Sequence, residues 1–318
     1  MPEVSVILPV YNVAGYIGRC AQSLLEQTFT DFELIVVDDA SNDDSIGVLE
    51  RSLGGRLPYT LITHAVNRGL SAARNTGIDA SRGRYLYFPD SDDFLEPGLL
   101  SYAWEQAEAG ADVVVFGLRS VPGNDDIPGL EGVRSGKEAL RAVLEGRCKT
   151  YICTQLFRKT LFDHIRFPEG YIYEDRFTTP YLFEAASQVA FVRRVFYNYR
   201  QRPGSITKTF HPEMAKNVAR IGAMETDLLG AFPEWKTSIG WFTYRNIYSM
   251  VLVALIRGDT YDAIRPVWKE CRRHVRWSGL WAWFSEERRP AVALGIFNIS
   301  PRLFWTCCKN YYRSRHQL

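Results

Sequence analysis

Three carboxylates, Asp90, Asp92 and Asp93, fall within four residues in the stretch YLYFPDSDDFLEP, directly after a short apolar run. Like charges that close oppose one another's ionisation unless a cation sits among them. Asp90 and Asp92 bracket one residue, so both carboxylates can face one point. Hard oxygens so placed suit Mg2+ or Mn2+, with a substrate diphosphate completing the shell. Read alone, the stretch is also compatible with a plain acidic turn, since Asp is a turn residue. Three further sets of polar groups end apolar runs in the same way: Tyr11 and Asn12, Asp38 and Asp39, and Asn67 to Gly69 leading to Arg74 and Asn75.

The elements that position these groups are legible. VSVILPVYN and FELIVVDDAS are short β-rich apolar runs, the pattern of strands buried on both faces, and YTLITHAV, RYLYFPDSDD and ADVVVFGLRS read as further strands. Between them lie AGYIGRCAQSLLEQT, NDDSIGVLERSL with Asn42 or Asp43 near its N-cap, GLSAARNTGIDAS and PGLLSYAWEQAEAG, all with helical spacing. This β-α alternation predicts a parallel, doubly wound sheet, whose ligands sit at the carboxyl ends of the strands. VPGNDDIPGLEG predicts a loop, a helix follows near 135–146, and the periodicity around TYICTQLFRKTLF leaves its class open. VAFVRRVFYNYR predicts a strand, and from about residue 212 the pattern is helical and aromatic.

Four strand ends delivering polar groups to one edge describe a nucleotide-diphosphate site. Asp38 or Asp39 can accept from a base N–H, and Tyr11 can stack on that base. No Walker A lysine loop is present, so phosphate charge falls to a metal and to Arg. At this level VSVILPVYN, FELIVVDDASND, NRGLSAARNTG and YLYFPDSDDFLEPGLL resemble the signature blocks of family 2 glycosyltransferases with the GT-A fold. The resemblance is specific over about residues 3–100 and looser to about 210.

The resemblance implies an α/β fold, a Rossmann-like GT-A sheet with a C-terminal helical, aromatic and basic extension. It implies a transferase domain over 1–211 (nucleotide half 1–120, acceptor half 121–211) and a helical region over 212–318. Nucleotide contacts are expected from Pro9, Val10, Tyr11, Asn12, Asp38 and Asp39, the last reading uracil, together with Asp90 and Ser91. Metal binding by Mn2+ or Mg2+ is expected through Asp92 and Asp90, mainly Asp92, and Arg74 is expected near the diphosphate or ribose. In YIYEDRF the acidic pair supplies the catalytic base, Asp175, with Glu174 positioning or replacing it, in an inverting displacement. In YNYRQRPGSITK, Arg202 is expected on the diphosphate, near Ser205 and Thr207, because Arg forks suit phosphate. Departures from the family pattern are Val13, Ala40 in place of the Gly of DDGS, and Pro89 before the Asp triplet; none removes a key carboxylate.

Charge and composition bound the rest. The chain has 318 residues, 46% hydrophobic and 23% charged, ordinary for a folded protein. From residue 261 onward eleven Lys and Arg stand against four acids, a net of +7 in a chain whose total is +2. Five of the eight Trp residues, Trp268, Trp277, Trp281, Trp283 and Trp305, fall in the same region. Basic segments with Trp and Leu on one face lie in bilayer interfaces, so the tail predicts peripheral contact with the cytoplasmic face of the plasma membrane. Packing of the same Trp side chains into a helical core is the alternative. The tail holds no recognisable nucleic-acid module. The six cysteines form no CxxC pair and predict reduced thiols in a cytoplasmic chain. No basic n-region precedes VSVILPV, and the apolar run MVLVALI is far shorter than a bilayer span.

The expected partners are therefore a UDP-sugar donor and a glycan or lipid-linked glycan acceptor. A sugar-nucleotide pyrophosphorylase would want a Gly-rich, basic loop after the first strand, where this chain has PVYNVAGYIGRC. A catalytically degenerate nucleotide-sugar binder or membrane scaffold is the other alternative, opposed by the joint presence of Asp39, Asp90, Asp92 and Asp175.

Overall fold

The computed structural model describes residues 1–306 apart from 124, 203–210, 212, 258–259, 285–287 and 303. Two compact units divide the chain. The first comprises Met1–Val143, Arg147–Gly170 and Glu174–Gln201. The second comprises Leu144–Gly146, Tyr171–Tyr173 and Arg202–Leu318.

The first unit is built on one mixed sheet. Its strands are β1 (Val4–Val10), β2 (Phe32–Asp38), β3 (Tyr59–Thr63), β4 (Tyr85–Tyr87), β5 (Phe94–Leu95), β6 (Val113–Val121), β7 (Asp125–Ile127), β8 (Gly132–Ser135), β9 (Gln155–Arg158) and β10 (Gln188–Arg200). The order is β3-β2-β1-β4-β9-β6-β10-β5, with β7 beside β6 and β8 beside β10. The helices are α1 (Ile17–Leu25), α2 (Ser45–Leu53), α3 (Leu70–Ala80), α4 (Leu99–Glu108), α5 (Gly136–Leu144) and α6 (Glu174–Ala185).

All seven residues of β1 are buried, as its unbroken apolar sequence requires. The chain winds outward from β1 through β2 to β3, then returns to lay β4 on the other side of β1. The switch point thus lies between β1 and β4, where an open α/β sheet forms its ligand crevice. Register aligns the strand ends: Val10 pairs with Asp38 and Asp38 with Thr63, so Tyr11, Asp39 and His64 leave the sheet side by side. Gly77 lets α3 lie directly on β1, since a Cβ there would stand 2.2 Å from Ile7 Cγ2. That close approach fixes Arg74, one turn earlier on α3.

The structure departs from the sequence reading in three places. The sheet is not wholly parallel: β9 inserts antiparallel between β4 and β6. It comes from the segment whose periodicity was open, and as a four-residue strand it is too short to show a period. The expected loop after β6 contains β7, which folds back antiparallel on β6. The third concerns the apolar segment in the second unit.

That unit contains α7 (Met214–Ala231), α8 (Lys236–Arg257), α9 (Tyr261–His274), α10 (Trp277–Phe284) and α11 (Arg288–Ile299). Met214, Val218, Ile221, Ile239, Ile247, Met250, Ile264, Leu294 and Phe297 are each fully buried. The helical segment Pro233–Arg257 is long and apolar enough to cross a membrane by length and composition, a feature the short run MVLVALI conceals. Its inward residues, among them Phe242, Ile247, Met250 and Val251, are core to this unit.

Candidate active site

The loops after β1 and β2 are braided by hydrogen bonds. Asn12 Oδ1 accepts from Asn42 N at 2.9 Å, Asn12 N donates to Ser41 Oγ at 3.3 Å, and Val13 N donates to Ser45 Oγ at 2.8 Å. Asp38 Oδ1 accepts from Ser41 N at 3.0 Å. Pro9 and Val10 belong to β1, and the Tyr11 side chain stands at the edge, 45% exposed.

Asp39 is the hub of this edge and is buried. Its Oδ1 accepts from Arg68 N at 2.8 Å, and its Oδ2 accepts from Gly69 N at 2.7 Å. Gly69, at φ +88°, is the N-cap of α3 and has no capping side chain of its own. The Asp39 carboxylate takes over that role, and negative charge at a helix N-terminus is favourable. His64 Nδ1 meets Asp39 Oδ1 at 2.7 Å while its Nε2 meets Thr76 Oγ1 at 2.9 Å. One imidazole therefore ties the ends of β2 and β3 to α3.

Non-glycine residues in the left-handed region stand at or beside predicted site residues: Asn12 at φ 51°, Ala40 at φ 60° and Tyr173 at φ 58°. Asn tolerates this conformation, whereas Ala and Tyr are strained in it. Ala40→Gly is expected to stabilise the chain by about 1 kcal/mol. An upward shift of the urea midpoint at unchanged slope would show it; an unchanged or lower midpoint would contradict strain at this position.

At the end of β4 the three aspartates part company. Asp93 is 1% exposed and fully engaged: Oδ2 accepts from Tyr197 Oη at 2.7 Å and Oδ1 from Arg200 N at 2.6 Å. Tyr197 Oη also accepts from Asp90 N at 3.1 Å, which locks the turn. Burial, reinforced by Asp90 and Asp92, pushes the Asp93 carboxyl up to about 8. Asp90 is pushed up to about 6 by burial, with Arg74 opposing the rise and Asp92 and Glu174 adding to it. Ser91 is buried and Asp92 half-buried. Among the described residues no group of three or more His, Cys, Asp or Glu side chains is placed to hold an ion. Besides the engaged Asp93, the turn carries two further carboxylates, Asp90 and Asp92. Such a set fits a hard divalent cation whose remaining ligands come from a phosphate substrate.

Arg74 lies at the centre of the second half of the site. Its guanidinium is 3% exposed, donates to Asp90 Oδ1 at 2.9 Å and to Glu174 Oε1, and sits 5.3 Å over the Phe167 ring. Arg74 thus faces protein carboxylates and bridges α3, the turn after β4 and the start of α6. Glu174 opens α6 with Asp175 beside it. Asp175 Oδ2 accepts from Thr150 Oγ1 at 3.1 Å and Oδ1 from Arg176 N at 2.8 Å. Burial first, and then the neighbouring Glu174, raise the Asp175 carboxyl to about 6, against the pull of Arg176. A carboxylate poised there is suited to accept a proton near neutral pH. Arg202 begins the last segment of the second unit and is half-buried, while Ser205 and Thr207 lie outside the described residues.

His64, Thr76, Thr150 and Tyr197 were missed by motif reading. His64 was within reach, because it is the first residue after β3 and the strand-end rule that selects Asp39 selects it too. Tyr197 sits inside a strand 104 residues from Asp93, and no local signal marks it.

The sequence model of glycosyl transferase family 2 matches residues 5–166. The chain is 33% identical over 233 residues to the uncharacterized glycosyltransferase EpsJ of Bacillus subtilis, covering 69% of this chain and 67% of that one. The chain belongs to glycosyl transferase family 2. Its fold is GT-A: S. aureus TarS 1–349, solved in complex with UDP-GlcNAc, superposes at a TM-score of 0.73 with 19% identity, over 99% of this chain and 92% of that one. The mannosyltransferase PcManGT of Pyrobaculum calidifontis, solved with GDP-Man and Mn2+, superposes at 0.54 with 17% identity, over 95% and 88% of the two chains.

Proposed function

We propose that the chain is an inverting, metal-dependent glycosyltransferase that moves a sugar from a UDP-sugar to a hydroxyl of a glycan acceptor. The observation that carries this reading is the convergence at the β1–β4 switch point. There the β1 and β2 ends, the Asp90–Asp92 pair and, through Arg74, the Glu174–Asp175 pair meet at one edge. The TarS complex with UDP-GlcNAc supports a uridine nucleotide.

In this reading Pro9, Val10, Tyr11 and Asn12 form the nucleoside wall, with Tyr11 stacking on the base. Asp39 accepts from the uracil N–H, with Asp38 beside it. Asp92 and Asp90 would hold Mn2+ or Mg2+, which when bound supplies positive charge against the departing diphosphate. Ser91 belongs to the same diphosphate-facing turn, and Arg202 adds a phosphate-binding guanidinium. Arg74 neutralises Glu174 and orients the start of α6, which leaves Asp175 as the base. Asp175 takes the proton of the acceptor hydroxyl while that oxygen bonds to the anomeric carbon. The bond from that carbon to the diphosphate oxygen breaks on the opposite face, so the anomeric configuration inverts. The domain limits follow the same reading: transferase over 1–211 and a helical region over 212–318. The acceptor is proposed to be lipid-linked and to serve surface polysaccharide synthesis, with the helical region meeting the inner face of the plasma membrane.

A panel of UDP-, GDP- and dTDP-sugars tests the donor class by release of free nucleoside diphosphate. Release from at least one UDP-sugar, with none from the GDP and dTDP series, is expected. Release from none, with nucleotide binding intact, would move the scaffold reading ahead.

A further inference from the structure

The aromatic tail divides into two populations. Trp283 is fully buried, stacked with Tyr244 at 6.2 Å and edge-on to Tyr248 at 6.0 Å, and Leu280 beside it is 4% exposed. Part of the tail's Trp content is therefore core. On the other side of α10, Trp277 and Trp281, one turn apart, are 52% and 72% exposed. On α11, Val292, Ile296 and Ile299 recur at helical spacing and are 48%, 40% and 69% exposed, while Leu294 and Phe297 point inward. The two stripes adjoin: a Cβ on Gly295 would stand 3.5 Å from Trp277 Cζ3, so the indole lies against α11. Large aromatic and aliphatic side chains placed together in solvent mark an interaction surface.

Charge decides what it meets. Arg272, Arg276, Arg288 and Arg302 are exposed around this pair of helices, and Arg288 stands 6.0 Å over the Phe284 ring. Residues 261–318 carry a net of +7. A second copy docking through the same face would oppose like charge to like, whereas an anionic surface complements it. Indoles beside cations are the chemistry of a headgroup layer.

We propose that the α10–α11 face docks on an anionic lipid surface, with Trp277 and Trp281 seated at headgroup depth and the flanking arginines on the lipid charge. This names the surface for the membrane contact of the proposed function and rests on that reading for its purpose, yet it can fail without touching the donor site.

The test is flotation of the 318-residue chain with phosphatidylcholine vesicles, with and without phosphatidylglycerol. Binding is expected only with the anionic lipid and is expected to weaken at high salt. The pair Trp277→Ser and Trp281→Ser is expected to reduce the bound fraction at least about tenfold, with near-UV dichroism and vesicle-free UDP-sugar turnover unchanged. Equal, negligible flotation with both vesicles overturns the proposal, as does binding that the double variant does not weaken. A vesicle-free dimer that light scattering shows to dissociate in the double variant also overturns it, and assigns the face to a second copy. Loss of turnover in the wild-type chain would count against the donor site alone, because flotation is read separately.

Discussion

Asp175→Asn is expected to lower kcat by about 10²–10⁴-fold while leaving UDP affinity within a factor of about two to three, since removal of a general base costs that much in rate. Asn preserves the shape: its Oδ1 can still accept from Arg176 N, and its Nδ2 can donate to Thr150 Oγ1 in place of the bond that hydroxyl gave to the carboxylate. What it removes is the capacity to take a proton. The pH dependence gives an independent check. The Asp175 carboxyl titrates near 6, raised first by burial and then by Glu174. A base must be ionised to act, so kcat/KM is expected to fall as pH drops through about 6 and to level off above it. The stability effect has the opposite sense. A folded-state value above the ordinary one, near 3.9, means that the folded chain binds the proton more tightly. Ionisation therefore costs stability as pH rises from about 4 to about 6. Asn escapes that cost, so the variant is expected to be no less stable than wild type at neutral pH. Near-normal activity in the variant would remove Asp175 from the chemistry, and a large loss of stability would show that the effect is structural.

Arg74→Met is expected to be the most destabilising single substitution in the first unit. The guanidinium is the cation that bonds both Asp90 and Glu174, whose side chains are 30% and 10% exposed. Removing one partner of a buried ion pair leaves uncompensated charge and costs about 3–5 kcal/mol. Asp90's partial exposure places the expectation toward the lower end. Arg74→Lys keeps the charge but loses the fork, so it should fall between wild type and Met. Adding Glu174→Gln to Arg74→Met removes one stranded carboxylate and should recover part of the loss, which a double-mutant cycle by urea denaturation measures. A cost below about 1 kcal/mol for Met, the range of an exposed pair, would show that the bridge is solvated and not structural.

The sequence makes β1 and β2 readable because each is a seven-residue, nearly unbroken apolar run. VSVILPV and FELIVVD become β1 and β2 at the expected positions, and the polar residues that follow them emerge at one edge. β9 was not readable, because a strand that enters a sheet antiparallel carries no local mark of its direction. The aspartate triplet was readable as a cluster, but not the division of labour within it. That division depends on Tyr197, a residue of β10. The same holds for Arg74, whose carboxylate partners lie 16 and 100 residues away in the chain. In the tail, composition gave one Trp-rich, basic population, while helical spacing separates Trp277 and Trp281 from Trp283. The DDAS departure was visible as Ala40, and the left-handed φ of 60° shows that the turn keeps the conformation a glycine would hold without strain.

A metal-dependent uridine nucleotide site at the β1–β4 switch point is the proposal on which the mechanism depends. Calorimetric titration of UDP into the purified chain, first with Mn2+ and then with EDTA, tests it most directly, with Asp92→Ala as the paired variant. Saturable binding is expected with Mn2+, lost in EDTA and lost in the variant. Binding of equal strength in Mn2+, in EDTA and in Asp92→Ala would contradict the metal role of the Asp90–Asp92 pair, and absence of UDP binding under all conditions would contradict the donor site itself.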